Sequence, residues 1–307
     1  MPAIEIRPFR RSDRDQLTDL VNAHVEAVLP GVTVSPNAVL GQLEREPGEY
    51  VVDPWVSVRH TIVAVHRERI AGAAHLLRYA DDERVNPTMR GIGEIRWLLF
   101  WPGQNPAKAA EMADVADALT AAAVAHLRGS TRIGADFGLP APAVYGVSDR
   151  WPHVAAALGR AGFVAGDRVE AVLAAAIDDL PHGGPAPVPD VEMRVALGGH
   201  ATRFSAVLDG RVIGMYEADT DLTQGGTRSR LVGWADGWEL WTAPEHRRRG
   251  IATWLLGHAA DRMRFAGVRR VLDYAVAAPD PPDGTLAFLR DVGFHELTRT
   301  TRGWTLQ

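Results

Sequence analysis

The sequence predicts an α/β chain in which one plan of strands and helices occurs twice. Three observations carry this. At 307 residues the chain exceeds the roughly 250 at which single hydrophobic cores tend to split. Residues 203–219 (RFSAVLDGRVIGMYEAD) form two β-rich runs around Asp209-Gly210, a hairpin signature, and residues 61–79 (TIVAVHRERIAGAAHLLRY) repeat the pattern and turn at Arg67-Glu68. Superposing the two hairpins puts Gly72 on Gly214 and Pro102 on Pro244, both at a spacing of 142, as an internal repeat requires.

After each proline the same order continues. A helical pattern (107–128 and 249–266) leads to a strand (132–137 and 270–275). A second helix follows and ends in related sequences, LGRAGF at 158–163 and LRDVGF at 289–294, where the glycine suits a helix C-terminal cap. The first part opens with a strand at 4–7, a helix over 14–28 capped by Ser12 or Asp13, and a short helix near 36–45. Between Val191 and Ala201 there is no room for such helices, so the second part lacks them and its cleft is open or completed by the first part. The stretch 178–190 (DDLPHGGPAPVPD) holds four prolines and two glycines without apolar periodicity, and reads as an exposed linker. The expected domains are therefore 1–177 and 191–307.

Composition narrows the function. With 46% hydrophobic and 23% charged residues the chain reads as folded. No apolar run approaches the ~18 residues of a membrane span, and the start lacks a signal-peptide pattern, so a cytoplasmic protein without membrane partners is expected. The net charge of −5 disfavours nucleic acid as a partner. Cysteine is absent, which excludes disulfides, thiolate metal sites and an acyl-cysteine intermediate. Eleven histidines lack HxH or HExxH spacing, and no metal is expected.

The segment that carries chemistry is PEHRRRGIATWLL. A strand over 238–243 ends at Pro244, and Ile251, Trp254, Leu255, His258 and Arg262 open a helix at 3.6-residue spacing. A strand feeding a glycine-containing turn at a helix start aims free backbone N–H groups outward, with the positive end of the helix dipole behind them. Gly250 and Ala252 are small where a pyrophosphate must approach the backbone, and Arg247, Arg248 and Arg249 add cationic charge. The competing reading is a solvated basic turn. A dinucleotide fold is disfavoured, since GxGxxG and alternating βαβ order are missing.

The run Arg247-Arg248-Arg249-Gly250-Ile251-Ala252 resembles motif A of the GNAT superfamily of acyltransferases, R/Q-x-x-G-x-G/A. The likeness covers 203–304 well and the first part more faintly; two such units resemble the actinobacterial two-domain members. The resemblance implies an α+β fold of two GNAT-like units, each a mixed, mostly antiparallel sheet flanked by helices and splayed in the middle. It implies acetyl-CoA as donor, bound by Thr242, Ala243, Arg247, Arg248, Arg249, Gly250, Ile251, Ala252 and Thr253, and an amine as acceptor. The first unit departs from the motif: after Pro102 it reads GQNPAKAAEMADVADAL, without the arginine or glycine, and is expected to have lost donor binding.

An ammonium with pKa near 10.4 must lose a proton before attacking a thioester, so a base is needed. The spacing at which the family often places a glutamate lands here on Asp236, and in the first unit on Glu94. Asp236-Gly237 reads equally well as a turn. Glu239, a third candidate, faces away from Asp236 if the strand is regular. The tyrosine that commonly serves the family as acid is replaced by Leu289 and Leu158, leaving water, Tyr274, Tyr216 or no acid. Trp97, Trp101, Trp238 and Trp241 read as packing or as an aromatic acceptor pocket, His153 as a helix-start residue or a base, and 259–270 as a solvated basic face. The expected activity is acetyl transfer to a small-molecule amine; a silent acyl-CoA-binding protein and a protein N-acetyltransferase are the alternatives, in a monomer or homodimer.

Overall fold

Two hairpins whose tight turns demand positive φ anchor the architecture. Arg67 and Glu68 have φ of 51° and 63°, and Asp209 and Gly210 have 49° and 74°, as mirror-type hairpin turns require. The structure is a computed structural model and describes residues 4–45, 53–141, 145–199, 201–219, 232–278 and 284–307. In chain order it runs β1 (Glu5–Pro8), α1 (Arg14–Val28), α2 (Pro36–Glu44), β2 (Val56–His66), β3 (Arg69–Tyr79), β4 (Gly93–Phe100), α3 (Pro106–Leu127), β5 (Ile133–Ala135), β6 (Val147–Ser148), α4 (Pro152–Arg160) and β7 (Phe163–Val164). It continues with β8 (Val169–Ala176), β9 (Glu192–Leu197), β10 (Thr202–Leu208), β11 (Arg211–Asp219), β12 (Trp234–Thr242), α5 (Ile251–Phe265), β13 (Arg270–Ala278), α6 (Thr285–Asp291), β14 (His295–Thr301) and β15 (Trp304–Leu306).

The chain forms two compact units, Met1–Val169 with Thr300–Gln307, and Glu170–Arg299. The first is built on a sheet ordered β1-β2-β3-β4-β5-β15-β7. Its β4–β5 contact is parallel, whereas β1–β2, β2–β3, β3–β4, β5–β15 and β15–β7 are antiparallel. The second is built on β14-β8-β13-β12-β11-β10-β9, with β12–β13 parallel and β9 through β12 antiparallel. The short β6 pairs with Thr300 and Thr301 at the end of β14, residues that count with the first unit. Among the described residues no helix is long and apolar enough to cross a membrane.

The repeat holds residue by residue. Gly72 pairs with Phe100 and Gly214 with Thr242. The register slips after Ala64 and after Ala206, and again between His75 and Leu76 and between Glu217 and Ala218, positions that all keep the spacing of 142. The two glycines let a helix lie close on the strand. A Cβ at Gly72 would sit 2.9 Å from the Leu99 carbonyl oxygen and 3.2 Å from Leu119 Cδ2 on α3; at Gly214 it would meet Ile251 Cγ2 at 3.0 Å and Leu255 Cδ1 at 3.3 Å on α5. Gly72→Ala is thus expected to cost about 1–3 kcal/mol, because backbone must shift. Gly214→Ala costs less, because its nearest neighbour is a side chain. Thermal melts check the order, at roughly 2–4 °C per kcal/mol.

The units do not divide where the proline-rich stretch suggested. β8 lies between β13 and β14 in the second sheet, and β15, at the C-terminus, lies between β5 and β7 in the first. Nor is 178–190 an exposed linker. Leu180 and Val188 are buried in the second unit's core, and the segment lies along α5. Arg264 donates to the carbonyls of Ile177 and Leu180 at 2.6 Å each, Asp261 accepts from the Gly183 N–H at 2.8 Å, and Trp254 Nε1 donates to the Gly184 carbonyl at 2.9 Å. Gly257 admits this backbone: a Cβ there would lie 2.5 Å from the His182 carbonyl oxygen. The basic end of α5, read as a solvated face, therefore includes a half-buried arginine that satisfies the orphaned carbonyls of an irregular segment. Asp13 does not cap α1 with its side chain; its carboxylate is tied to Arg7 at 2.7 and 2.9 Å and accepts from the Arg10 N–H.

Candidate active site

In the second unit, β12 and β13 pair at Trp234↔Arg270, Ala235↔Val271 and Asp236↔Leu272. Pairing ends there, although β12 continues to Thr242 and β13 to Ala278, so the two strands part and leave an opening between them. The far end of β12 leads through a short 3-10 turn, Pro244–His246, to the start of α5.

That start is open and carries no side-chain cap. Gly250 is the N-cap of α5 with φ +83°. No acidic residue lies in the first turn, so the N–H groups of Ile251, Ala252 and Thr253 have no intrahelical acceptor and the helix dipole stands behind them. Arg248 also has positive φ, at 60°. Arg247, Arg248, Arg249 and Gly250 are exposed. The Arg247 Nε–H donates to the Thr242 carbonyl at 3.1 Å, which folds one guanidinium back over the strand end, and Arg249 lies 3.3 Å from His246 Nδ1. Ala243 is buried with its N–H committed to the Ile213 carbonyl at 2.9 Å, and the Ile251 side chain is in the core. Thr242, Ala252 and Thr253 keep surface exposure.

Where the strands part, four side chains converge in two pairs. Asp236, 8% exposed, accepts from the Tyr274 hydroxyl at 2.6 Å. Asp273, 4% exposed, accepts from the fully buried Tyr216 hydroxyl at 3.2 Å and from the Tyr274 N–H at 2.8 Å. A Cβ at Gly237 would lie 2.5 Å from Asp273 Oδ2 and 2.8 Å from the Tyr216 oxygen, so glycine is what lets the carboxyl press against β12. Asp236-Gly237 is thus strand interior, not a turn. The register slip also overturns the opposed-face expectation. Gly237 pairs with Ala218 and Glu239 with Glu217, so Trp238 bulges out and Asp236 and Glu239 share one face. Glu239 is exposed there, beside Trp238 and Trp241, each 38% exposed, so these two tryptophans are not core.

Burial pushes the Asp273 carboxyl up to about 7, against which the Tyr274 N–H and Tyr216 hydroxyl pull only partly. Burial, reinforced by Asp273, drives the Tyr216 hydroxyl well above its usual range. In the unfolded chain an aspartate titrates near 3.9. Between there and about 7 the folded chain holds a proton that the unfolded chain has released, so stability falls as pH rises through that window and is level above it. Asp273→Asn is expected to melt above the wild type at pH 8, by a margin that shrinks toward pH 5; differential scanning calorimetry at both values checks it.

Glu94, the matched position in the first unit, is buried and accepts from the Tyr79 hydroxyl at 2.6 Å and from Arg96 at 3.2 Å. It lines a cavity of about 330 Å³ with Arg132, Asp136, Arg302 and Trp304. Asp136 is held by Arg302 at 2.7 and 2.8 Å and by the Gly303 N–H at 3.0 Å. The matching helix start in this unit, that of α3, is capped. The Asn105 side chain caps α3 by accepting from the Lys108 N–H at 2.9 Å, Pro106 fills the first turn, and Gly103 sits where a Cβ would be 2.2 Å from Ala109 Cα. His153 does not cap α4; it meets His24 at 3.2 Å, and burial lowers both imidazoles, His24 to about 4. Leu158 and Leu289 are fully buried. Among the described residues no group of His, Asp and Glu is arranged to hold a metal ion.

Residues 170–294 match the sequence profile of the acetyltransferase (GNAT) family, nearly the whole of the second unit. The second unit is a GNAT acetyltransferase domain. Solved structures extend the likeness of fold to the whole chain. One is a GCN5-related glucosamine N-acetyltransferase region of a fungal multi-domain β-N-acetylglucosaminidase (TM-score 0.64, 16% identity, 99% of this chain), of which the chain spans 38%. Another is a tandem GNAT protein from the clavulanic acid biosynthesis pathway (TM-score 0.62, 18% identity, 99% of this chain and 98% of that one). A third is a GCN5-related N-acetyltransferase from Sphaerobacter thermophilus (TM-score 0.58, 14% identity, 98% and 95%). A comparison with curated proteins gives no match. The chain thus carries two GNAT folds in tandem, and residues 170–294 carry the acetyltransferase profile of the family.

Proposed function

We propose that the chain transfers an acetyl group from acetyl-CoA to an amine of a small molecule, with the donor in the second unit. The observation that carries this is the uncapped α5 N-terminus at Gly250, set at the end of the strand that lines the β12–β13 opening. The amides of residues 251–253 and the guanidinium groups of Arg247, Arg248 and Arg249 suit the diphosphate and 3′-phosphate of CoA. The opening between the strands suits the pantetheine arm, and it leads from those amides toward Asp236 and Asp273.

Asp236 is the base in this reading. It takes a proton from the acceptor ammonium, directly or through water, while Tyr274 fixes its carboxylate by a hydrogen bond. A β12 backbone N–H past the bulge at Trp238 receives the thioester oxygen. With no cysteine in the chain, the amine attacks directly and most of the gain comes from positioning. Glu94 and its cavity serve the first unit's acceptor side, without a donor platform beside it. The second reading, a silent acyl-CoA binder, is favoured by Leu289, which fills the usual acid position with a fully buried apolar side chain.

One experiment separates the two: thiol release from acetyl-CoA with lysine, spermidine, glucosamine and kanamycin, beside calorimetric binding of CoA. Amine-dependent release supports the enzyme; tight binding without release with any amine supports the silent binder.

A further inference from the structure

A carboxyl group buried without a cation is costly, and a protein has cheaper ways to fill the same volume. Among the described residues Asp273 is such a group. Its recorded partners are the Tyr216 hydroxyl and the Tyr274 N–H, both neutral. It interrupts the apolar run of β13 at the point where β13 leaves β12. It also faces the same side of the sheet as Gly214 and Tyr216, the side on which α5 packs and at whose end Gly250 stands. Asp236 and Tyr274 face the opposite side. The two carboxyls therefore address the opening from its two faces, which separates a proton taken from the acceptor from a proton given to the donor.

We infer that Asp273 is the catalytic acid that protonates the coenzyme A sulfur as its bond to the acetyl carbon breaks, an assignment that rests on the acetyl transfer proposed above. Asp236 removes one proton from the ammonium, and the nitrogen lone pair attacks the thioester carbon. The nitrogen gives up its second proton to solvent. On collapse of the tetrahedral adduct the carbon–sulfur electron pair goes to sulfur, and the Asp273 O–H supplies the proton. Solvent then reprotonates Asp273 and takes the proton from Asp236, so one proton is released per amide formed.

The other hydroxyl donors at this place fit the task less well. Tyr274 is turned to Asp236. Tyr216 sits next to Asp273, but burial makes it a weaker acid than an ordinary phenol, whereas Asp273, at about 7, is more acidic than a thiol near 8.5 and gives up its proton downhill. Among the described residues the titratable side chain that faces Asp273 is Tyr216 from β11; Asp236, on the other face of β12, acts on Tyr216.

The test compares wild type and Asp273→Asn with acetyl-CoA and with its oxyester analogue, in which oxygen replaces the sulfur, using whichever of the four amines is turned over fastest. An alkoxide leaves far less readily than a thiolate, so it needs the acid more. Asp273→Asn is expected to lower kcat about 10–100-fold with the thioester and at least tenfold more with the oxyester, with CoA affinity within about twofold of wild type. The fall in wild-type kcat above pH 7 is absent from the variant. Asp273→Ser serves if the amide variant does not fold. Equal losses for the two esters, or kcat within twofold of wild type, would overturn the assignment. A wild-type chain that binds acetyl-CoA and acetylates no amine would overturn the acetyl-transfer reading itself, and the acid with it.

Discussion

Gly250→Trp is expected to weaken CoA binding at least 100-fold while the chain stays folded. The residue caps α5 at φ +83°, where any L-residue is strained by roughly 1–2 kcal/mol, and its Cβ would meet Pro187 Cβ at 3.2 Å. These costs are modest for folding because the position is exposed. They are large for binding. An indole at the helix start stands where a diphosphate must reach the amides of residues 251–253, and each charge-assisted hydrogen bond lost there is worth about 1.5–3 kcal/mol. Losing two already exceeds two orders of magnitude. Calorimetry with CoA, beside circular dichroism to confirm folding, reads both halves of the expectation. Unchanged affinity in a folded variant would remove the anion platform from the account.

Asp236→Asn is expected to lower kcat by about 10²–10⁴ with acetyl-CoA affinity unchanged within a few-fold. The amide keeps the size of the carboxylate and can still accept from the Tyr274 hydroxyl, so the fold has little reason to respond. What it loses is the capacity to hold a proton. Tyr274→Phe leaves the carboxylate and removes the group that fixes it, and is expected to cost about tenfold in kcat. Steady-state kinetics with the best amine checks both. A loss confined to KM would place Asp236 in acceptor binding instead of proton transfer.

The strand, the turn and the start of α5 around Gly250 were legible in the sequence because their signals are local. A strand, a proline, three arginines, a glycine and an apolar helix stripe follow one another within 20 residues. The repeat was legible for a related reason, since hairpin turns and close-packed glycines leave marks at fixed spacing, and the strand registers keep that spacing even at the bulges. What was hidden depends on non-local pairing. No periodicity tells that β8 joins the second sheet or that the last three-residue strand joins the first. The proline-rich stretch looked like a linker because its own residues make no pattern; its order comes from Arg264, Asp261 and Trp254, some 70–87 residues away. The faces of Asp236 and Glu239 were misjudged because a bulge at Trp238 shifts the alternation by one. The one mark that Asp273 leaves in the sequence is an acidic residue inside the apolar run VLDYAVA.

Titration of acetyl-CoA into the full chain tests the central claim most directly, because the claim assigns one donor site to the second unit and none to the first. The account predicts one equivalent bound per chain, abolished by Gly250→Trp and untouched by Asn105→Ala at the capped start of α3. Two equivalents, no binding, or a single equivalent that survives Gly250→Trp would contradict it.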